Sequence, residues 1–141
     1  MNTVSIGDIG EAMAIADFTK AGFVVSAPLS NNARYDLIID NGEKIYRVQV
    51  KTTESVKDEK MIFATKTTNY SKGNWKSTRY SINEVDIFYL YCLENDWRGL
   101  YIPENEILTQ LNIRFTPPKS GQKVGIKMQE DFCFEKQIKF L

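Results

Sequence analysis

Two strand-like runs that flank Asn41-Gly42 constrain the fold of this chain more than any other feature. The runs are YDLIID (35–40) and EKIYRVQVKT (43–52), and the second alternates apolar with long polar residues. Asn-Gly between two such runs is the strongest short signal for a β-hairpin. We therefore expect an antiparallel pair of strands with one face in a core and the other face polar.

The polar face of this hairpin is expected to gather four side chains. A two-residue turn at the Asn-Gly pair places Asp36 opposite Arg47, and residues two apart along a strand share a face. Asp36 then lies diagonal to Gln49 at roughly 7–8 Å, with Lys51 one step further along the same edge. Two side-chain oxygens at that separation can bind one divalent cation.

Two interpretations of this polar face are open at this point. A hard cation such as Mg²⁺ binds oxygen ligands together with water and substrate phosphate, and a nearby lysine can orient or deprotonate that water. The face would then hold a metal ion and a phosphodiester. Alternatively, it is a solvated hairpin face with an ordinary cross-strand pair between Asp36 and Arg47.

The rest of the pattern is typical of an α/β fold. Helix formers over 7–22, ending on Gly22, predict a first helix. The continuous apolar run DIFYLYCL (86–93) predicts a strand buried on both faces. The order of elements predicts a sheet with helices on its faces, and residues 112–141 have no assignment. Further expectations are strands over 23–27, 61–68 and 100–102, a loop or lid over 71–81, and a helix over 103–112 that begins at Pro103.

Composition limits both the chemistry and the setting. The 141 residues suit one domain over 1–141. Histidine is absent, which excludes Ser-His-Asp and Cys-His nucleophiles and leaves acid–base work to Asp, Glu, Lys, Tyr or a metal-bound water. Cys92 and Cys133 have no metal-ligand spacing, and the sequence predicts neither a signal peptide nor a membrane helix. We expect a reduced, cytoplasmic protein with no membrane partner.

A basic segment is hidden by the net charge of zero. Residues 44–80 carry nine basic and three acidic side chains, and five cations without an anion occur from Lys60 to Arg79. Tyr70 and Trp75 are interleaved with these cations, which suits a surface that follows a phosphate backbone. The alternative is a solvated strand and loop. The candidate DNA contacts are Arg47, Lys66, Lys72, Lys76 and Arg79.

The hairpin residues resemble the signature of the PD-(D/E)XK nuclease superfamily. That signature joins an acidic residue on the first helix to an Asp on one strand and (D/E)-x-K on the next strand of a hairpin. The matching residues are Glu11 in IGEA, Asp36 in YDLII, and Gln49 and Lys51 in VQVKTT. The order of elements over 7–102 also matches. The resemblance implies a restriction-endonuclease-like core, a central mixed sheet flanked by helices in the order helix-strand-strand-strand-helix-strand.

Gln49 departs from the superfamily pattern, which usually has Glu or Asp at this position. A Gln variant occurs in the branch of intron-encoded homing endonucleases, and the whole chain is most similar to that branch. The resemblance implies that Asp36, Gln49 and Glu11 bind the metal and that Lys51 positions the attacking water. Because Gln49 supplies an oxygen without charge, the affinity for Mg²⁺ should depend more on the two carboxylates.

Three functions are compatible with this resemblance. The first is a Mg²⁺-dependent, site-specific DNA endonuclease of the homing branch, for which Mn²⁺ should substitute. One active site per chain implies a homodimer or homotetramer for cleavage of double-stranded DNA. The second is a Holliday-junction resolvase or a restriction-type nuclease of the same fold. The third is a catalytically inactive DNA-binding relative, which Gln49 and the zero net charge would favour.

Overall fold

The computed structural model describes residues 2–141 as one helix followed by strands and a short helical C-terminus. The elements in chain order are α1 (Thr3–Lys20), β1 (Val24–Ser26), β2 (Leu37–Asp40), β3 (Ile45–Thr53), β4 (Lys60–Ala64), β5 (Lys66–Ser71), β6 (Asn74–Arg79), β7 (Ile87–Cys92), β8 (Trp97–Tyr101), β9 (Gln110–Arg114), β10 (Lys127–Met128), α2 (Gln129–Phe132), α3 (Phe134–Gln137) and a 3-10 helix (Ile138–Phe140).

Helix α1 begins earlier than the sequence pattern predicted. It starts at Thr3 because Asn2 caps it: the side-chain oxygen of Asn2 accepts a hydrogen bond from the backbone N–H of Ser5 at 2.9 Å. Glu11 therefore lies in the middle of the helix. The buried stripe of the helix has the four-residue spacing of one helical face and consists of Gly10, Ala14 and Phe18.

The main sheet contains five strands in the order β1-β2-β3-β7-β8. The pair β3–β7 is parallel and the other pairs are antiparallel, so the sheet is mixed. All six residues of β7 are buried, which confirms the prediction of a strand covered on both faces. Helix α1 and Phe134 of α3 pack on one face. The second sheet, ordered β10-β9-β4, packs on the other face.

This architecture confirms the predicted fold class, a central mixed sheet with helices. One detail of the expected order differs, because the chain between β3 and β7 forms the strands β4, β5 and β6 instead of a helix. Strand β4 joins the second sheet. Strands β5 and β6 pair with each other alone and form a two-stranded ribbon over 66–79, which we call the ribbon.

The ribbon replaces a predicted loop and divides a predicted strand. The strand expected over 61–68 breaks at Thr65, which is fully buried and whose N–H donates to the carbonyl of Thr109 at 3.0 Å. The expectation of a loop or lid over 71–81 is wrong, since most of this segment is β6. The polar residues on both faces of the ribbon give no period that distinguishes strand from loop.

The turn at the tip of the ribbon is formed by Lys72 and Gly73. Both residues have positive φ values, 52° and 79°. Two consecutive positive φ values characterise the tight turn that suits the twist of a two-stranded hairpin, and glycine at the second position is favoured there.

The helix expected over 103–112 is also wrong. Leu111 and a residue two positions later, Ile113, are both buried, which is the period of a strand, and they belong to β9. The preceding segment is held in an irregular loop because the Tyr101 hydroxyl accepts a hydrogen bond from the N–H of Leu108 at 3.2 Å. This tertiary contact overrides the local helix signal of Pro103 and the acidic residues after it.

The remaining sequence expectations concern cysteines and membranes. Cys92 and Cys133 are free thiols, the first buried in the core and the second half-buried. Within residues 2–141, every helix is too short or too polar to cross a membrane.

Candidate active site

The hairpin of β2 and β3 forms as predicted, but its register differs by two residues. The ladder ends with the pair Asp40 and Ile45, and the N–H of Asn41 donates to the carbonyl of Lys44 at 3.2 Å. The turn is therefore centred one residue later than the Asn-Gly pair. Because side chains alternate with a period of two, this shift leaves every residue on its predicted face.

Asp36 lies at an open edge of β3. Strand β2 pairs with β3 only from Ile45 to Val48, whereas β7 pairs with β3 from Val48 to Thr53. The Asp36 carboxylate accepts a hydrogen bond from the N–H of Val50 at 2.8 Å, and its own N–H donates to the carbonyl of Val48 at 2.8 Å. This edge position lets the carboxylate meet groups from both faces of the main sheet.

Glu11 approaches this edge from the face that α1 covers. Its neighbour Gly10 contacts β3 so closely that an added Cβ would overlap Thr52 Oγ1 and lie 3.3 Å from Val50 Cγ1. The absent side chain thus lets α1 rest directly on β3. Burial raises the pKa of Glu11, and the negative charge of Asp36 raises it further.

The pKa of Asp36 is also raised from its ordinary value. Burial is the largest cause, and it outweighs the Val50 hydrogen bond and the Lys51 charge, both of which lower the pKa. Two half-buried carboxylates with raised pKa values therefore meet at one edge of β3. Burial therefore disfavours the ionised form of both carboxyls at this edge.

Lys51 and Gln49 lie on the other face of β3. Val48 and Val50 are buried beneath α1, so the alternation of the strand turns Gln49 and Lys51 toward the side of the second sheet. The Lys51 ammonium donates a hydrogen bond to the Tyr80 hydroxyl at 3.1 Å. Its charge also lowers the pKa of Asp36, against the larger effect of burial.

Arg47 shares the polar face but is engaged with a different partner. It lies opposite Ile38 in the ladder. Its guanidinium donates two hydrogen bonds of 3.0 Å to the Asp86 carboxylate, and its backbone N–H donates a third at 2.8 Å. Burial alone would raise the pKa of Asp86, but the bonds from Arg47 outweigh it and lower that pKa. Arg47 thus fastens the start of β7 and is not the cross-strand partner of Asp36.

The other four predicted DNA contacts lie along the ribbon. Lys66 and Arg79 face each other at its base, and the whole of β6 is exposed. Tyr70 and Trp75 pair near the tip with ring centroids 5.0 Å apart. Residues 66–79 carry four cations and no carboxylate. These cations are Lys66, Lys72, Lys76 and Arg79.

Two residues beside the site were missed by reasoning from the sequence. Tyr80 bonds Lys51, and the Arg34 guanidinium lies 4.3 Å from the centre of the Tyr80 ring. Their contacts join residues 29 or more positions apart, so no local pattern predicts them. Their positions in the sequence are the one available signal: Tyr80 directly follows the basic segment that ends at Arg79, and Arg34 lies two residues before Asp36.

The donor set of this edge fits a hard divalent cation. Within residues 2–141, no group of three or more His, Cys, Asp or Glu side chains is placed to hold a metal. Glu11 and Asp36 could hold such a cation together with water and substrate, which is how Mg²⁺ binds, and Gln49 would have to join them from the other face of β3. A cation between the carboxylates would also relieve the repulsion that raises the pKa of Glu11.

Comparisons with known proteins identify the fold and the family of the chain. The fold is similar to that of a bacterial homing endonuclease, I-Ssp6803I, with a TM-score of 0.79 and 20% sequence identity over 98% of this chain and 93% of that chain. The likeness confirms the restriction-endonuclease-like core. No curated protein matches the sequence significantly. A family model described as PD-(D/E)XK endonuclease matches residues 1–135. The chain therefore belongs to the PD-(D/E)XK endonuclease family.

Proposed function

We propose that this protein is a Mg²⁺-dependent, site-specific DNA endonuclease of the homing type, formed by one domain over 1–141 that works in the cytoplasm. The observation that carries the proposal is the position of Asp36, whose carboxylate is bonded to the N–H of Val50 next to Lys51 and whose charge acts on Glu11 of α1. Three separate elements supply the charges that phosphodiester hydrolysis requires.

Asp36, Glu11 and Gln49 would hold the metal. The N–H of Val50 orients the Asp36 carboxylate through one of its oxygens, which leaves the other free for a ligand. When bound, Mg²⁺, or Mn²⁺ in its place, would stabilise charge on the phosphoryl oxygens and make a coordinated water more acidic. Gln49 contributes an oxygen without charge, so the two carboxylates supply the electrostatic part of the affinity.

Lys51 acts on the substrate side of this centre. Its ammonium has three donors, of which one is used by Tyr80. The remaining donors can orient the attacking water or bind a non-bridging phosphoryl oxygen, where negative charge grows during in-line attack. Lys51 therefore has the role of positioning the nucleophile and neutralising developing charge.

The ribbon is the surface proposed to bind double-stranded DNA. A two-stranded β-ribbon fits the major groove, and four cations without a carboxylate match the charge of the phosphate backbone. Because one chain provides one centre of this kind, cutting both strands requires at least two chains. A homodimer or homotetramer is proposed on that ground.

The experiment that tests this function is cleavage of supercoiled plasmid and of a four-way junction. We expect nicking or linearisation with Mg²⁺ or Mn²⁺, none with a chelator, and none by Lys51→Ala. Preference for the junction would instead indicate the resolvase alternative. Binding without cleavage under any divalent metal would refute the enzymatic function and support the inactive DNA-binding relative.

Ribbon binding makes a separate prediction about salt. Each Lys–phosphate contact contributes about 0.9 to the slope of log affinity against log salt, so Lys72→Ala/Lys76→Ala should lower that slope by roughly 2. Filter binding or fluorescence anisotropy between low and high salt measures it. Lys20→Ala, at the far end of α1 and on the order of 13 Å along the helix from Glu11, is the matched control and should leave the slope unchanged. Equal slopes for both variants would refute the proposal that the ribbon binds DNA.

A further inference from the structure

Tyr80 connects the base of the ribbon with the proposed catalytic lysine. Its hydroxyl oxygen accepts one hydrogen bond from the Lys51 ammonium at 3.1 Å and a second from the Thr67 hydroxyl at 2.9 Å. Thr67 belongs to β5, so both strands of the ribbon reach Lys51 through this phenol. The ring itself is 7% exposed and packs edge-on against Phe88 of β7, with centroids 5.5 Å apart.

Arg34, in the loop that precedes β2, contacts both Tyr80 and Thr67. Its guanidinium lies 4.3 Å from the centre of the Tyr80 ring and donates to Thr67 Oγ1 at 3.1 Å. It also donates to the backbone carbonyl of Arg79 at 3.2 Å and pairs with Glu84 at 3.1 Å. The chain that leads into Asp36 is thereby attached to the end of both ribbon strands.

We infer that Tyr80 is a positioning residue for Lys51 and couples the placement of the ribbon to the placement of that ammonium. This inference rests on the proposed function. A lysine side chain is flexible, with a compact charge on a four-carbon stem, and needs a fixed acceptor to hold its ammonium at one point. Within residues 2–141, the Tyr80 hydroxyl is the hydrogen-bond acceptor that meets Lys51 Nζ.

The ribbon is attached to the domain only at its base, where Thr67, Tyr80 and Arg34 contact one another. The strands are exposed along β6 and almost all of β5, and they become buried only where they join the domain at Thr65 and Tyr80. A shift of the ribbon on DNA binding would therefore act on the domain through the contacts at the base of the ribbon. Two base contacts, Thr67 and Arg34, meet the phenol that holds Lys51, so the placement of the ammonium depends on how the ribbon is seated on the domain.

The first test is Tyr80→Phe, which keeps the ring packed against Phe88 and removes only the hydroxyl. A lost hydrogen bond to a charged group corresponds to about a tenfold fall in kcat for plasmid cleavage, with the KM for DNA within about twofold of the parent. The melting temperature should fall by only a few degrees, because the apolar packing is retained although two hydrogen bonds are lost. A merely structural role would lower stability and leave kcat unchanged for the folded protein.

A matched pair at Thr67 separates the hydroxyl relay from packing. Thr67→Val keeps the shape but loses the donor to Tyr80, so kcat should fall severalfold. Thr67→Ser restores the hydroxyl and should recover the parental kcat. Equal loss in both variants, or parental kcat in Tyr80→Phe, would overturn the inference.

A readout that does not require cleavage distinguishes failure of this inference from failure of the proposed function. Reductive methylation followed by mass spectrometry reports how freely each lysine reacts. Freed from its acceptor, Lys51 should be methylated about threefold faster in Tyr80→Phe, whereas Lys20 in the same sample should be unchanged. An unchanged rate at Lys51 would refute the positioning role, whether or not the parent protein cuts DNA.

Discussion

Asp36→Ala is expected to abolish metal-dependent cleavage, with a fall in rate of at least about 10³-fold. The substitution removes the carboxylate that bridges the α1 side and the Lys51 side of the open β3 edge. A gel assay of plasmid cleavage at saturating metal measures the loss. Gln49→Glu is the comparison variant, because it adds a carboxylate on the same face and should retain cleavage with an altered metal preference. Full activity in Asp36→Ala would refute the assignment of the metal centre.

The same position should show a conflict between stability and activity. An acid whose pKa is raised on folding stabilises the fold below its unfolded value, near 3.8 for Asp36, and this contribution is lost as pH rises through the folded pKa. At neutral pH the ionised Asp36 therefore destabilises the metal-free protein. Asn cannot ionise, and its amide oxygen can still accept the Val50 hydrogen bond.

Asp36→Asn should accordingly melt a few degrees higher than the parent at pH 7 in chelator, while it fails to cleave DNA. The difference should disappear below pH 3.8, where the parental Asp36 is protonated in both states. Differential scanning calorimetry across this pH range tests the sign. A lower melting temperature for Asp36→Asn at pH 7 would show that the carboxylate is stabilised rather than strained by its surroundings.

Gly10→Ala is expected to lower both stability and cleavage, because Gly10 lies where α1 packs on β3. The new Cβ would overlap Thr52 Oγ1, so α1 must move away from β3 and carry Glu11 with it. Overpacking of this kind costs about 1–3 kcal/mol of stability. A displacement of about 1 Å at a reacting group lowers the rate by about tenfold to hundredfold, even at temperatures where the variant is folded. Thermal unfolding and single-turnover cleavage measure the two effects.

The helix provides its own control for this substitution. Gly7 has no atom within 4 Å of an added Cβ, so Gly7→Ala should stabilise the protein by about 0.5–1 kcal/mol through helix propensity and leave cleavage intact. Thr52→Ala removes the overlapping hydroxyl, which is buried without a hydrogen-bond partner. The double variant Gly10→Ala/Thr52→Ala should therefore recover much of both losses. Failure of this rescue, or equal damage in Gly7→Ala, would contradict close packing as the cause.

The polar face of the hairpin was predictable although its register was not. Alternation in β3 sets Gln49 and Lys51 apart from Val48 and Val50, and any even shift of the partner strand preserves that division. The turn was misplaced because Asn-Gly has a strong intrinsic preference, whereas the Asn41 side chain here accepts hydrogen bonds from the two residues after Gly42. Local propensity therefore identified the strands, and side-chain bonding decided the pairing.

Long-range contacts account for what the sequence did not reveal. Ile107 and Leu111 have the spacing of a helical face, yet both are buried in the core between two sheets, and the strand β9 continues from there. The junction at Tyr80 depends on Arg34 and Lys51, which are distant in the chain from it. Periodicity and capping signals do not predict contacts between such distant residues, because these contacts form only when the sheets have packed.

The burial of β7 on both faces has a consequence for how the protein opens in solution. Its amides lie at the centre of the main sheet and should exchange with deuterium only when the whole domain unfolds. Strand β3 is hydrogen-bonded to β7 along the residues that include Gln49 and Lys51. The backbone that carries Gln49 and Lys51 is thus anchored to the slowest-exchanging part of the chain, whereas the exposed ribbon, which meets the Lys51 ammonium only through Tyr80, should exchange first.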